Sequence, residues 1–237
     1  MCDLLADSGV AGCPDSFFRR ESFLEWTEYF GLSVDEWGDA HEFDQAYLSA
    51  VLRYGTAETP VFGMRLMWES VADLLKRLEL FYPDQPSDRA RLQSAFGSPL
   101  YLHLSRNDKV AQAVSRLMAE QTGLWHVSKN GVERERLWAG RKPAYDAQRL
   151  SELVATLEAH DAAWRNWFSR QGIEPLRITY EALSTTPQAT LATVLSALGQ
   201  DPAIAQTLEP QTAKLANAES REWTRRFRSE ESRDESP

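Results

Sequence analysis

The sequence predicts an α/β fold rich in helix, with a parallel sheet covered by helices on both faces. Three observations carry this. Short apolar runs with strand character alternate with longer segments of helical periodicity, which is the signature of parallel strands joined by crossover helices. The clearest such unit is Leu100–Ser115, an apolar strand, a short polar turn and the start of a helix. The length, 237 residues, suits one large domain spanning 1–237.

The elements follow in order. Met1–Gly9 reads as a helix that stops at a glycine, and Gly12–Arg20 as a loop. A second helix covers about His41 to Tyr54 and is expected to stop at Gly55. Pro60–Met67 reads as a short strand running into a turn. Val71–Leu80 has helical periodicity, with Leu74, Leu75, Leu78 and Leu80 on one side. Pro83–Gly97 is a polar loop with weak helical character. A strand at 100–104 and its helix, to about Gly123, come next. Trp125–Trp138 contains Lys129-Asn130-Gly131, a tight-turn signal that suggests a small hairpin. A long helix from about Asp146 to Arg170 follows, then a strand over Pro175–Tyr180. Thr186-Pro187 opens a further helix that runs to Leu198. Trp223 and Phe227, four apart, can anchor the start of the charged C-terminal segment, whose last residues, 229–237, are expected to fray.

Composition narrows the function classes. Lysine and arginine total 26 against 35 aspartate and glutamate, a formal charge of −9, so the chain as a whole repels polyanions and nucleic acid is not an expected partner. No apolar run approaches membrane-spanning length and no secretory leader is recognisable. Cys2 and Cys13 form no disulfide framework, and a reducing cytoplasm is the default compartment. His41, His126 and His160 show no ligand spacing, so no metal is expected, and His103, inside an apolar strand, reads as a core histidine.

The chemistry concentrates where the 100–104 strand meets its helix. A parallel strand feeding a helix places the helix N-terminus at the carboxyl edge of the sheet, where backbone N–H groups and the helix dipole favour anions. Arg106 adds a planar fork of donors suited to phosphate, and Lys109 and Ser115 follow on the helix. A strand–turn–helix with a solvated surface arginine is the other reading of these residues.

Several runs in fixed order resemble the bacterial sulfotransferases typified by the mycobacterial trehalose sulfotransferase. They are Ala6–Gly12, Pro14–Phe18, Phe62–Trp68, Arg106 through Gln112–Ser115, Trp164–Phe168, Leu195–Pro202 and Ser220–Trp223. The resemblance implies a P-loop-like, three-layer fold that uses 3′-phosphoadenosine 5′-phosphosulfate and moves its sulfuryl group to a hydroxyl, often of a sugar. The partners it implies are therefore that donor and a small-molecule or glycan acceptor, with a homodimer also open. Arg106 and Ser115 match the family's ligands for the nucleotide 3′-phosphate.

The chain departs from the family at two places. Family members begin with a strand and a loop of the type Arg-Ser-Gly-Ser-Thr around the 5′-phosphosulfate, and neither is found ahead of Met1. The expectation is thus an α/β sheet lacking its first, central strand. A central gap would leave neighbouring backbone groups unpaired and remove an amide cradle for the transferring group. A start assigned too late explains this without a hole in a sheet; a degenerate remnant, or a substitute segment, are the alternatives. Weak or absent turnover is the corresponding expectation for the chain as it stands. Second, the family's catalytic glutamate is matched by Ser16, which cannot act as an unaided base near neutrality. Asp15 and Glu21 are the nearest carboxylates. Asp15 is the candidate base and Ser16 a hydrogen-bonding partner for the acceptor; an ordinary helix-capping or solvated role is the other reading of both acids.

Arg65 stands where the family has a lysine and could stabilise sulfuryl oxygens, or simply pair with a neighbouring helix. Trp26 and Trp37 could stack on a sugar ring or pack into the interior. Arg221, Arg225, Arg226 and Arg228 could approach a phosphate, but a solvated segment balanced by its glutamates is the expected account. A non-catalytic module that binds a nucleotide or glycan is the alternative function. A kinase is disfavoured because no Gly-x-x-x-x-Gly-Lys-Ser/Thr loop occurs.

Overall fold

The computed structural model describes residues 1–32, 40–127, 132–136, 140–211 and 217–234. Helices dominate, and two strands, β1 (Leu102–Ser105) and β4 (Leu176–Thr179), form a small parallel sheet. A second pair, β2 (Leu124–Val127) and β3 (Glu133–Arg136), is antiparallel. The chain divides into two compact units. The first comprises Met1–His103, Asn166–Ile178 and Ala182–Glu209; the second comprises Leu104–Arg165, Thr179–Glu181 and Pro210–Pro237.

In the first unit, α1 (Cys2–Asp7) offers Leu4 and Leu5 to α9 (Pro187–Ala197), which answers with Leu191, Val194 and Leu195 at helical spacing; Ile178 and Ala205 complete this core. Pro187 starts α9 where its missing N–H is harmless. A second cluster is aromatic. Phe23 from α2 (Phe23–Tyr29) packs edge-on with Phe43 and tilted against Tyr47, both from α3 (Ala40–Thr56), Tyr47 packs edge-on with Phe18, and the Tyr47 hydroxyl donates to the Phe17 carbonyl at 2.5 Å. The helix α3 includes Gly55, its expected stop, and ends at Thr56. α4 (Trp68–Phe81) buries Val71, Leu74 and Leu78 along one stripe; Leu80, expected on the same side, is left at the surface, 53% exposed.

Two segments differ from expectation. The run Asp88–Phe96 within the expected loop is a helix, α5: Ser87 caps it by accepting from the Ala90 N–H, and Asp88 accepts from the Trp167 indole at 2.9 Å. Local capping and long-range hydrogen bonds linking Asp88 and Arg89 to Trp167, Gln171 and Gly172 overcome an almost non-amphipathic sequence. Conversely, Pro60–Met67 is not a strand. Its backbone makes a single parallel bridge, Asp15 with Met64, because Gly63 N–H turns to the Gly55 carbonyl at 2.9 Å, which Cys13 N–H also uses at 2.8 Å.

In the second unit, α6 (Lys109–Thr122) contributes Ala113, Val114 and Leu117, α7 (Ala147–Arg170) contributes Leu150, Leu153 and Leu157, and α10 (Ala218–Asp234) adds Trp223 and Phe227. The i, i+4 aromatic pair thus anchors α10 as its spacing predicts. The helix continues through Asp234, past residue 229 where fraying was expected to begin, supported by the Arg226–Glu230 pair at 2.8 Å and by Ser229 and Ser232 hydroxyls donating to carbonyls one turn back. The β2–β3 hairpin matches the expectation for Trp125–Trp138, while its turn, Lys129–Gly131, lies outside the described residues.

Candidate functional site

The predicted phosphate ligands come together in the second unit. Arg106 and Ser115 both line a cavity of about 980 Å³. Ser115 sits on α6 two turns beyond the turn that carries Arg106, and it is exposed to the cavity side. The Arg106 guanidinium lies 4.5 Å over the ring of Tyr180, a flat platform that fixes the plane of its donors. Its Nε is buried and has no hydrogen-bond partner among the described residues. A buried, unused donor beside a cavity is costly unless something supplies an acceptor.

The cavity's other wall is α10. Arg221, Arg225 and Arg228 line it, whereas Arg226 turns away, over the Tyr145 ring at 3.8 Å and against Glu230. All four arginines are exposed, and Arg225 and Arg226 pair with glutamates as expected of a solvated segment; lining the cavity is an addition to that account. The signal was present in the sequence: spacing of four and then three puts Arg221, Arg225 and Arg228 on one helical stripe, offset from Trp223 and Phe227. Arg228 pairs with Asp108 at 2.7 Å, and Arg225 pairs with Glu222. Met118, Leu124 and Pro143 supply an apolar end to the same cavity, large enough for more than a phosphate.

Carboxylates engage three of the amides around the start of α6. Asn107 and Asp108 N–H donate to Glu181 Oε1 at 3.1 and 3.4 Å, and Ala111 N–H donates to Asp108 Oδ1 at 2.9 Å. An internal carboxylate already occupies the place an external anion would take at that helix end. Burial opposes the charge on Glu181, but the backbone amides and the Arg106 charge outweigh it and hold its pKa below the ordinary range. Burial likewise opposes the charge on Asp108, and the Ala111 amide and Arg228 overcome it. Sequence reasoning missed Tyr180 and Glu181, which open the short helix α8 (Tyr180–Thr185) directly after β4 with no motif to mark them.

The other predicted residues form a cluster in the first unit. Asp15 and Arg65 are joined through the backbone, Arg65 N–H donating to the Asp15 carbonyl at 3.0 Å. Ser16 N–H donates to Asp15 Oδ1 at 2.6 Å, and the exposed Arg65 directs its Nε to Ser16 Oγ at 2.5 Å. Ser16 is only 4% exposed, so its hydroxyl serves to hold Arg65. Burial raises the Cys2 thiol, with the neighbouring Arg65 charge pulling the other way. Glu21 is instead engaged by Arg19 Nε at 3.2 Å. Trp26 packs edge-on against Phe17 and Tyr54 with centroids 5.0 and 5.1 Å away, so it belongs to the aromatic cluster; Trp37 lies outside the described residues. His103 is 8% exposed with its ring 5.5 Å from Phe168, a core position. Cys2 and Cys13 are free thiols. Among the described residues no helix is long and apolar enough to cross a membrane, and no group of histidines, cysteines and carboxylates is gathered to hold a metal ion.

The chain is 34% identical to the trehalose 2-sulfotransferase of Mycobacterium tuberculosis over 97% of its own length and 90% of the relative's. It is 32% identical to the trehalose 2-sulfotransferase of Mycolicibacterium smegmatis over 100% and 92%. The family model for Stf0 sulphotransferases matches residues 1–230, and the chain belongs to that family.

Proposed function

We propose that this protein transfers a sulfuryl group from 3′-phosphoadenosine 5′-phosphosulfate to a carbohydrate hydroxyl. One observation carries the reading: Arg106, with its unused buried Nε, and Ser115 share a cavity with three arginines of α10. Such a donor set suits a phosphate monoester dianion, which offers several acceptor oxygens and two negative charges. The apolar end beside Met118, Leu124 and Pro143 suits a heterocyclic ring. We take the fold to be the P-loop-like, three-layer form of α/β, a reading supported by the parallel β1–β4 pair and the helix that follows β1.

The bound donor supplies the activated sulfuryl group. Arg106 and Ser115 hold the ribose 3′-phosphate, and the Tyr180 ring keeps the guanidinium in plane. Asp15 takes the proton of the acceptor hydroxyl as the hydroxyl oxygen bonds to sulfur, while the bond from sulfur to the donor's 5′-phosphate oxygen breaks and 3′-phosphoadenosine 5′-phosphate leaves. Ser16 N–H on Asp15 Oδ1 leaves the other carboxylate oxygen for that proton. Arg65, oriented by Ser16, meets developing negative charge with an exposed guanidinium. The trehalose acceptor named in the two mycobacterial relatives is the first acceptor to try.

The test is transfer of labelled sulfate from the donor to trehalose and a panel of other sugars, with wild type and Asp15→Asn. Wild type is expected to label at least one sugar. Asp15→Asn is expected to lower kcat about 10²-fold or more while leaving donor binding unchanged. No labelling of any sugar, despite tight donor binding, overturns the carbohydrate reading, and full activity of Asp15→Asn removes Asp15 as the base.

A further inference from the structure

The turn that carries Arg106 is gripped by charged groups that make no use of the cavity. Lys109 Nζ donates to the Arg106 carbonyl at 2.6 Å and to Gln112 Oε1 at 3.4 Å, and lies 2.5 Å from Asp161 Oδ2 on α7. Only 14% of the Lys109 side chain and 22% of the Asp161 side chain are exposed. From the other side, Glu181 takes the Asn107 and Asp108 amides.

A lysine beside a phosphate site is ordinarily read as a phosphate ligand, but here the geometry argues otherwise. An ammonium has three donors. All are committed, to a carbonyl, an amide oxygen and a carboxylate. Arg106 is the opposite case: its Nε has no partner, and the position of its guanidinium depends on the Tyr180 ring and on where its own backbone sits. Displacing a binding group by about 1 Å can cost on the order of 10²-fold. A largely buried ion pair is also poor at stabilising a fold, because desolvation offsets its attraction. A role in placing the turn accounts for it better.

We propose that Lys109, held by Asp161, is a positioning residue that fixes the Arg106 carbonyl and thereby aims the Arg106 guanidinium at its anion. The proposal rests on the cavity being the nucleotide 3′-phosphate site.

The experiment is calorimetric titration of the full chain with 3′-phosphoadenosine 5′-phosphate and with adenosine 5′-phosphate, which lacks the 3′-phosphate. Lys109→Met is expected to weaken the bisphosphate on the order of tenfold and the monophosphate by less than about twofold. Lys109→Arg, which keeps charge and donors, is expected to recover most of the loss. In an Arg106→Ala background, Lys109→Met is expected to have no further effect, since the two act as one unit. Asp161→Asn is expected to reproduce the selective loss in weaker form and stands in should Lys109→Met fail to fold. Equal weakening of both nucleotides, or a fully additive loss in the Arg106→Ala background, overturns the positioning role. If Arg106→Ala itself leaves bisphosphate binding unchanged, the phosphate-site reading fails; if Arg106→Ala weakens it and neither Lys109→Met nor Asp161→Asn does, only the positioning role fails.

Discussion

Gly12 holds the loop that presents Asp15 and Ser16, and its replacement by alanine tests that packing. Its φ is +72°, in the left-handed region, and a Cβ there would lie 2.4 Å from the carbonyl oxygens of Gly55 and Val61 and 2.8 Å from Gly63 N. These are backbone atoms, about 1 Å inside ordinary van der Waals contact, so no side-chain rotation relieves them. Left-handed backbone in alanine costs about 1 kcal/mol. Moving the packed backbone adds about 2 kcal/mol, as in overpacked cores. A total of about 3 kcal/mol corresponds to a fall in Tm of roughly 6–12 °C for a chain of this size. Gly9→Ala is the internal control: its φ is +67°, but nothing lies within 4 Å of the added Cβ. It carries the conformational cost alone, about 1 kcal/mol and roughly 2–4 °C. Thermal unfolding of both variants by circular dichroism decides the matter. A Gly12→Ala variant that melts no lower than Gly9→Ala refutes the close-approach argument.

Two other variants follow from local geometry and titration. Ser87→Ala removes the side-chain cap of α5 and is expected to lower stability by about 1 kcal/mol, read from the urea midpoint at unchanged slope. Asp108 and Glu181 have folded pKa values held below their ordinary ones, so the native state binds their protons more weakly than the unfolded chain does. Their contribution is present above the ordinary carboxylate range and is lost as pH falls through it toward the folded values. The urea midpoint of wild type is therefore expected to drop below about pH 4.5, and Asp108→Asn with Glu181→Gln to flatten that acid limb; an unchanged limb contradicts the sign.

Much of this architecture was legible in the sequence because its signals are local. The α6 boundaries follow from Asp108 at the cap and Gly123 at the end, and α10 is anchored by Trp223 and Phe227 at the spacing that predicts it. What was not legible depends on contacts distant in sequence. The segment Pro60–Met67 has strand composition, yet the Gly55 carbonyl, shared by Cys13 and Gly63, bends it away from a ladder. The helix α5 is decided by a serine cap and a tryptophan 79 positions away on Asp88. The same holds for the candidate sites. Arg106 and Ser115 were readable as a pair from strand, turn and helix. That Glu181 would take the amides beside Arg106 was not, because 74 positions separate it from Asn107. Ser16 was readable as a position lacking a base, but not as the hydroxyl that orients Arg65.

The measurement that bears most directly on the central claim is the affinity of 3′-phosphoadenosine 5′-phosphate for wild type and for Arg106→Ala. Losing a charge-assisted donor that has no other partner is expected to cost about 3 kcal/mol, on the order of a 10²-fold rise in Kd. Equal affinities for the two proteins would contradict it.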